Sequence, residues 1–420
     1  MSRFVVHASG PLAGTVVAGG AKNAVLKEMA ACLLAEGMHR LRNVPRISDV
    51  DTMASVLEAL GCRVHWADHH ELSIGVPSAS RLLQQAPAAH VERLRASIVV
   101  LGPLLARCGA ASLPLPGGDD FGNRPVNYHL EGLSAMGADV RIARGVIEAQ
   151  GPPDRRLHGA RLTLEYPSHT ATDNLLMAAV TAQGTTVIDN AAREPEVEDL
   201  ARMLNSMGAS VTGLGTSRLV VDGVDELRPA DHEVIADRVV AATYLAAAAI
   251  TGGEVTVADA RREHMETLLR KLSTMGCEVS GEVGLTAKGP ARPNACDIAT
   301  LPYPGVATDY KPLLVAVLSV ADGTSVVTEN LFEGRFRYLD EFVHMGAQLS
   351  TEGHHVVVRG IERLRGTSVR ATDVRAGAAL VLAGLVADGE TQVANAEHVD
   401  RGYEDLAGAL SSLGADVVRV

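Results

Sequence analysis

Gly132-Leu-Ser-Ala-Met-Gly-Ala-Asp-Val140 reads as the end of a helix, a stop and the start of a strand. Gly137 suits the left-handed backbone on which many helices end, because it has no Cβ to clash there. Ala138-Asp139-Val140 then opens a strand. The phrase returns as Leu413-Gly-Ala-Asp-Val417. Looser copies fill the interval at Met207-Gly208, Met275-Gly276 and Met345-Gly346, and one precedes it at Leu60-Gly61. Successive glycines of these six lie 68 to 76 residues apart. A second series, Gly37, Gly109, Gly184, Gly253, Gly323 and Gly389, runs 23 to 28 residues ahead of the first and closes another helix before another short strand. Six copies at one period predict α/β units of about 70 residues. Three units per domain make two domains of about 210 residues each.

The third copy ends after Val211 and the hairpin that follows, which puts the domain boundary near Pro229-Ala-Asp-His-Glu233. A first strand is expected from Phe4 to Val17. The sixth copy ends at the C-terminus with no strand after it, so the N-terminal strand can complete the second domain. The predicted division is 22–230, carrying a loop at 113–125, against 1–21 with 231–420. First helices of the later copies are expected from about Ala236, Asp309 and Asp373.

Aromatic residues are only 3% of the chain against 47% hydrophobic overall, so the cores must be built from Ala, Val, Leu and Ile. A net charge of −12 excludes a global basic field for nucleic acid or anionic membranes. The five cysteines are scattered without a CxxC pair, which reads as reduced thiols, no zinc site and a cytoplasmic protein. No signal peptide or membrane-spanning run is evident. Asp68-His-His-Glu71 and Glu352-Gly-His-His355 read as exposed turns rather than metal ligands.

Some polar positions are not required by the repeat. Gly19-Gly20-Ala21-Lys22-Asn23 opens a helix, where free N–H groups and Lys22 suit an anion; a solvated lysine is the plainer alternative. Leu115-Pro-Gly-Gly-Asp-Asp-Phe-Gly-Asn-Arg-Pro-Val126 joins bendable glycines to two acids and an arginine, a pattern that fits a phosphate or carboxylate ligand and equally an ordinary turn. Arg95 stands at another helix start. Asp309 and Asp373 each fit an N-cap as well as chemistry.

Taken together, the chain resembles the bacterial UDP-N-acetylglucosamine enolpyruvyl transferases from end to end. The resemblance is carried by Gly20-Ala-Lys-Asn23, Arg95-Ala-Ser97, Pro116-Gly-Gly118, Arg124-Pro-Val126, Ala192-Arg-Glu-Pro195, Thr308-Asp309, Thr328-Glu-Asn-Leu-Phe-Glu333 with Arg335-Phe336, and Asp400-Arg-Gly-Tyr403. It implies a two-domain inside-out α/β barrel of six βαβαββ units with the active site in the interdomain cleft. The implied reaction moves the enolpyruvyl group of phosphoenolpyruvate to a sugar hydroxyl and releases phosphate through a tetrahedral intermediate, with no metal or organic cofactor. It implies catalytic roles for Lys22, Asp119, Asp309 and Arg401, with Asp309 taking the hydroxyl proton. It implies substrate contacts from Asn23, Arg95, Arg124, Pro125, Val126, Asn127, Tyr128, Ser168, His169, Thr170, Leu331, Arg335, Asp373 and Arg375. The partners implied are phosphoenolpyruvate and a uridine nucleotide, acting on a monomer or weak homo-oligomer.

The chain departs from the family at the lid, at the nucleotide end and around Asp309, where Tyr310 and Lys311 are unusual neighbours. Asp119 stands where the family's lid usually has a cysteine; a carboxylic acid with a raised pKa can serve as proton donor there. Without the thiol, the chain is expected to resist fosfomycin, which alkylates it. At the nucleotide end, Asn127 and Tyr128 replace Asp-Leu, and Ser168-His-Thr170 replaces Ser-Val-Gly. His169 either contacts a phosphate or faces solvent. These changes keep a second acceptor, such as UMP at its 3′-hydroxyl, beside UDP-N-acetylglucosamine. A non-catalytic binding protein is the third reading, and retention of the cations argues against it.

Overall fold

The computed structural model describes residues 2–118, 125–332 and 334–420. The chain forms two compact units. One comprises residues 20–118 and 125–235, the other 2–19 and 236–420.

Each unit is organised around three buried helices. Lys22–Ala31, Leu101–Cys108 and His169–Ala179 fill the first. Arg238–Thr251, Lys311–Ser319 and Val374–Gly384 fill the second. Every residue of Lys311–Ser319 and of Val374–Gly384 is buried, which their nearly all-round apolar composition permits. Outer helices such as Glu266–Thr274 bury only one face, through Leu268, Leu269 and Leu272.

Five of the six repeats end in a four-stranded sheet with one order. In the third repeat Arg161–Thr163 pairs parallel with Thr185–Asp189, which pairs antiparallel with Arg218–Asp222, which pairs antiparallel with Ser210–Thr212. Among the described residues the second repeat has three strands, and its parallel partner is reduced to a single bridge from Gln85 to Ser112. Pro87, which has no N–H to donate, follows directly. The sheets stay open, and among the described residues none closes into a barrel. The inside-out character lies in the buried helices.

Among the described residues the chain passes between units twice, and each time leaves a strand behind. Ala13–Val16 pairs with Glu254–Arg261 in the second unit, although the next helix in sequence, Lys22–Ala31, belongs to the first. Asp231–Glu233 pairs with Gly37–Arg42 in the first unit, although the next helix, Arg238–Thr251, belongs to the second. The strand expected from Phe4 to Val17 is therefore two, Arg3–Val6 and Ala13–Val16. Gly10-Pro11 interrupts it, and Pro11 has no N–H for a ladder. Arg3–Val6 lies between Thr391–Ala394 and Val417–Arg419, the fourth-strand place of the sixth sheet.

The helix-ending glycines behave as their spacing implies. Gly61, Gly137, Gly208, Gly276, Gly346 and Gly414 have φ between +86° and +106°. In the other series the fourth copy differs, with Gly252 and not Gly253 at positive φ. All five cysteines are free, and four are buried. The two His-His pieces lie in exposed hairpin turns.

Candidate active site

In the first unit the Gly20 turn is dictated by backbone crowding. A Cβ on Gly20 would fall 1.7 Å from the Asn43 carbonyl oxygen. This turn delivers Lys22 to the first position of its helix, where Nζ lies 2.8 Å from Asp49 Oδ2 with both side chains largely enclosed. Asn23 is half-buried, and its carbonyl accepts from Lys27 Nζ. The Pro116-Gly-Gly118 segment is pressed against Glu92–Arg95. A Cβ on Gly117 would fall 1.8 Å from the Glu92 carbonyl oxygen, and one on Gly118 would fall 2.9 Å from Arg95 Cβ. Arg95 Nη1 donates to the Pro116 carbonyl at 3.1 Å.

Ser168 caps the helix His169–Ala179, its Oγ accepting from the Ala171 N–H. The His169 ring turns toward its own helix and Lys27: Nε2 lies 3.4 Å from Asp173 Oδ2 and 3.4 Å from Lys27 Nζ. Asp173 is 1% exposed and 3.8 Å from Lys27 Nζ. Contacts this long do not offset burial, which pushes its carboxyl up to about 8. Thr170 Oγ1 lies 3.4 Å from Nε2 of His129, a buried histidine whose Nδ1 accepts from Asn174 at 2.9 Å. Burial, and then the charge of Arg95, push His129 down to about 3. Pro125 is exposed and Val126 buried; Asn127 begins the next helix and reaches Glu131, and Tyr128 packs partly into the core.

The second unit gathers its nominated residues more tightly. Arg335 Nη2 donates to Asp309 Oδ1 at 2.7 Å, and Arg375 Nε lies 3.8 Å from Asp309 Oδ2. The helix that follows starts at Lys311 with Tyr310 at its cap position, so Asp309 is not the N-cap. Its side chain is 27% exposed, whereas those of Arg335 and Arg375 are almost wholly buried. Burial opposes the Arg335 charge, but the carboxylates of Asp309 and Asp373 outweigh it and hold the guanidinium above its usual pKa. Asp373 caps the helix Val374–Gly384, accepting from the Arg375 and Ala376 N–H groups. A cavity of about 390 Å³ opens beside this cluster, lined by Arg335, Arg337, Arg370, Asp373 and His398 among others. Leu331 gives its N–H to Glu329, and Arg401 ends the turn Ala396–Arg401. Asp119 and Arg124 lie outside the described residues.

Sequence reasoning noticed Lys311 as an unusual neighbour of Asp309 but missed the buried group to which it belongs. Lys311 and Glu329 are fully buried and 2.8 Å apart. Glu329 also accepts from the Thr300 and Thr308 hydroxyls, and Arg335 Nη1 donates to Thr308 Oγ1 at 3.1 Å. Burial pushes Lys311 down to about 8. The signal available was a lysine at the head of the apolar run 312–318. His129 and Asp49 were missed for a different reason, since Asn174 and Lys22 are distant from them in sequence; Asp173 has one distant partner, Lys27, and one four residues away, His169.

Residues 6–410 match the family described as EPSP synthase (3-phosphoshikimate 1-carboxyvinyltransferase). The chain belongs to this family of enolpyruvyl transferases and is an enzyme of that class. Within it, the chain is 48% identical to UDP-N-acetylglucosamine 1-carboxyvinyltransferase of Nocardia farcinica, covering 100% of this chain and 98% of the relative. It is 48% identical to the enzyme of the same name from Mycobacterium tuberculosis, covering 100% and 99%. The crystal structure of the enolpyruvyl transferase NikO from Streptomyces tendae superposes with a TM-score of 0.88 at 25% identity, covering 100% and 99%. EPSP synthase from Acinetobacter baumannii shares the fold at a TM-score of 0.77 and 19% identity, covering 99% of each chain.

Proposed function

We propose that this chain transfers the enolpyruvyl group of phosphoenolpyruvate to the 3-hydroxyl of UDP-N-acetylglucosamine, releasing phosphate, in peptidoglycan synthesis. The supporting observation is Asp309. It keeps a solvent-facing carboxylate, and a buried guanidinium fixes one of its oxygens. A carboxylate held this way can receive a hydroxyl proton at a defined point. In this reading Lys22, Arg124 and Arg401 neutralise the phosphate and carboxylate of phosphoenolpyruvate, and Arg95 serves the nucleotide. The hydroxyl oxygen adds to C2 of the alkene, its proton passing to Asp309, and the methylene gains a proton, giving a tetrahedral intermediate; phosphate then leaves C2 and the new methyl loses a proton, which restores the double bond. Fixed charges stabilise that intermediate without solvent reorganisation. Asp119 takes the proton-donor place. Relatives bearing the UDP-N-acetylglucosamine name across the full length support the acceptor.

The altered nucleotide end favours a second reading, UMP as acceptor. His169 occupies the helix start after Ser168 but is tied back to Asp173 and Lys27. Mass spectrometry of the product decides between the two. Incubation with phosphoenolpyruvate and both acceptors should yield enolpyruvyl-UDP-N-acetylglucosamine alone. An enolpyruvyl-UMP product would replace the first reading with the second.

A further inference from the structure

Glu28, Asp199 and His232, none of them given a role above, meet inside the first unit. They come from three elements: the helix Lys22–Ala31, the helix Pro195–Ser206 and the strand Asp231–Glu233. Glu28 is 0% exposed and Asp199 3%. His232 Nε2 lies 3.5 Å from Glu28 Oε1 and 3.3 Å from Asp199 Oδ1. Among the described residues, neither oxygen of Glu28, nor Nε2 of His232, makes a hydrogen bond of good geometry, so these contacts stand as ion-pair approaches. One oxygen from each carboxylate and the ring nitrogen all lie within 4.8 Å of one another. Burial holds the Glu28 carboxyl up at about 8, and the two acids outweigh burial to hold His232 up at about 10, so a metal ion bound here would displace a proton from each.

We propose that Glu28, Asp199 and His232 bind one divalent transition-metal ion of the zinc class, as a structural staple. Three observations carry this. The first is spacing: zinc bonds of about 2.0–2.1 Å in a tetrahedron put ligand atoms about 3.3–3.4 Å apart, which matches the two imidazole–carboxylate distances. The second is donor chemistry. One imidazole nitrogen and two carboxylate oxygens are borderline ligands suited to such ions, and a dication neutralises both acids. The third is orientation. Asp199 Oδ2 accepts from the Ile235 N–H at 3.0 Å, which fixes the carboxylate and leaves Oδ1 aimed at the cluster. The His232 side chain is 12% exposed, which gives an ion an entry path and a solvent molecule the fourth position. The ion would tie the last strand of this unit, just before the chain crosses, to the helix whose start carries Lys22 and Asn23.

The test uses full-length protein without a histidine tag. After dialysis against excess Co²⁺ and removal of free ion, we expect about one Co²⁺ per chain with the visible absorption of a tetrahedral site. Zn²⁺ should raise the thermal midpoint by several degrees, and a chelator should reverse the rise. His232→Gln should abolish both effects, and His70→Ala, at an exposed His-His turn, should abolish neither. If His232→Gln does not fold, Glu28→Gln takes its place. No stoichiometric binding by the wild type would overturn the proposal. So would absorption that survives His232→Gln or Glu28→Gln, or that disappears in His70→Ala and so belongs to surface histidines.

Discussion

At the residue scale, Asp309 and His129 show how surroundings assign roles. Asp309 was ambiguous in sequence because an aspartate before a helix is usually a cap. The structure separates the cases: Asp373 caps its helix, and Asp309 is gripped by Arg335. Asp309→Asn should lower kcat by about 100-fold or more, as expected for loss of a general base, and should also lower the thermal midpoint, because buried Arg335 loses a charge partner. Steady-state rates beside a melting curve check this, and near-normal kcat would remove Asp309 from the mechanism. His129 makes a prediction about pH. Its pKa falls from 6.5 in the unfolded chain to about 3 in the fold. Its contribution to stability is therefore fully present above pH 6.5 and is lost as pH falls through about 3. Over most of that window one extra proton binds on unfolding, worth ~1.4 kcal/mol per pH unit. His129→Gln should flatten the acid limb by that slope, measured by urea unfolding at a series of pH values. Asp119 carries the expectation of resistance to fosfomycin, and time-dependent inactivation by the drug would contradict it.

At the scale of elements, the helix ends were the most legible part of the sequence. A glycine after a Leu or Met is a local signal, and positive φ at all six is its physical cause. The inner helices were legible by their apolar runs. The charged groups inside them were not, since a lysine such as Lys311 is explained only by Glu329 on another element. The reduced second sheet and the split N-terminal strand were missed although Pro87 and Gly10-Pro11 mark both locally; which strands then pair is a long-range property. Two glycines test the local account. Gly208 has φ +106° and open space where a Cβ would go, so Gly208→Ala carries backbone strain alone, about 1–2 kcal/mol. Gly20→Ala drives a Cβ into the Asn43 carbonyl, so the turn that sets Lys22 must shift. We expect it to raise the KM for phosphoenolpyruvate as well as to destabilise. Equal KM values in the two variants would separate the Gly20 turn from substrate binding.

At the scale of the whole molecule, the sixfold period was readable but the chain's two passages between units were only partly so. Sequence placed the change of unit near Pro229; the strand Asp231–Glu233 stays with the first unit, and the division falls after Ile235. The place of Arg3–Val6 in the sixth sheet gives a clear consequence. Removing residues 1–7 should destabilise the unit containing 236–420 and spare the other, splitting calorimetric unfolding into two transitions. A single transition shifted as a whole would mean that the units unfold together. The central claim, the reaction and its acceptor, is tested most directly by phosphate release from phosphoenolpyruvate by the purified chain, with UDP-N-acetylglucosamine, UDP or UMP supplied in turn. The account predicts sustained release with the sugar nucleotide and none with UDP or UMP. Release with UMP and not with UDP-N-acetylglucosamine would contradict it.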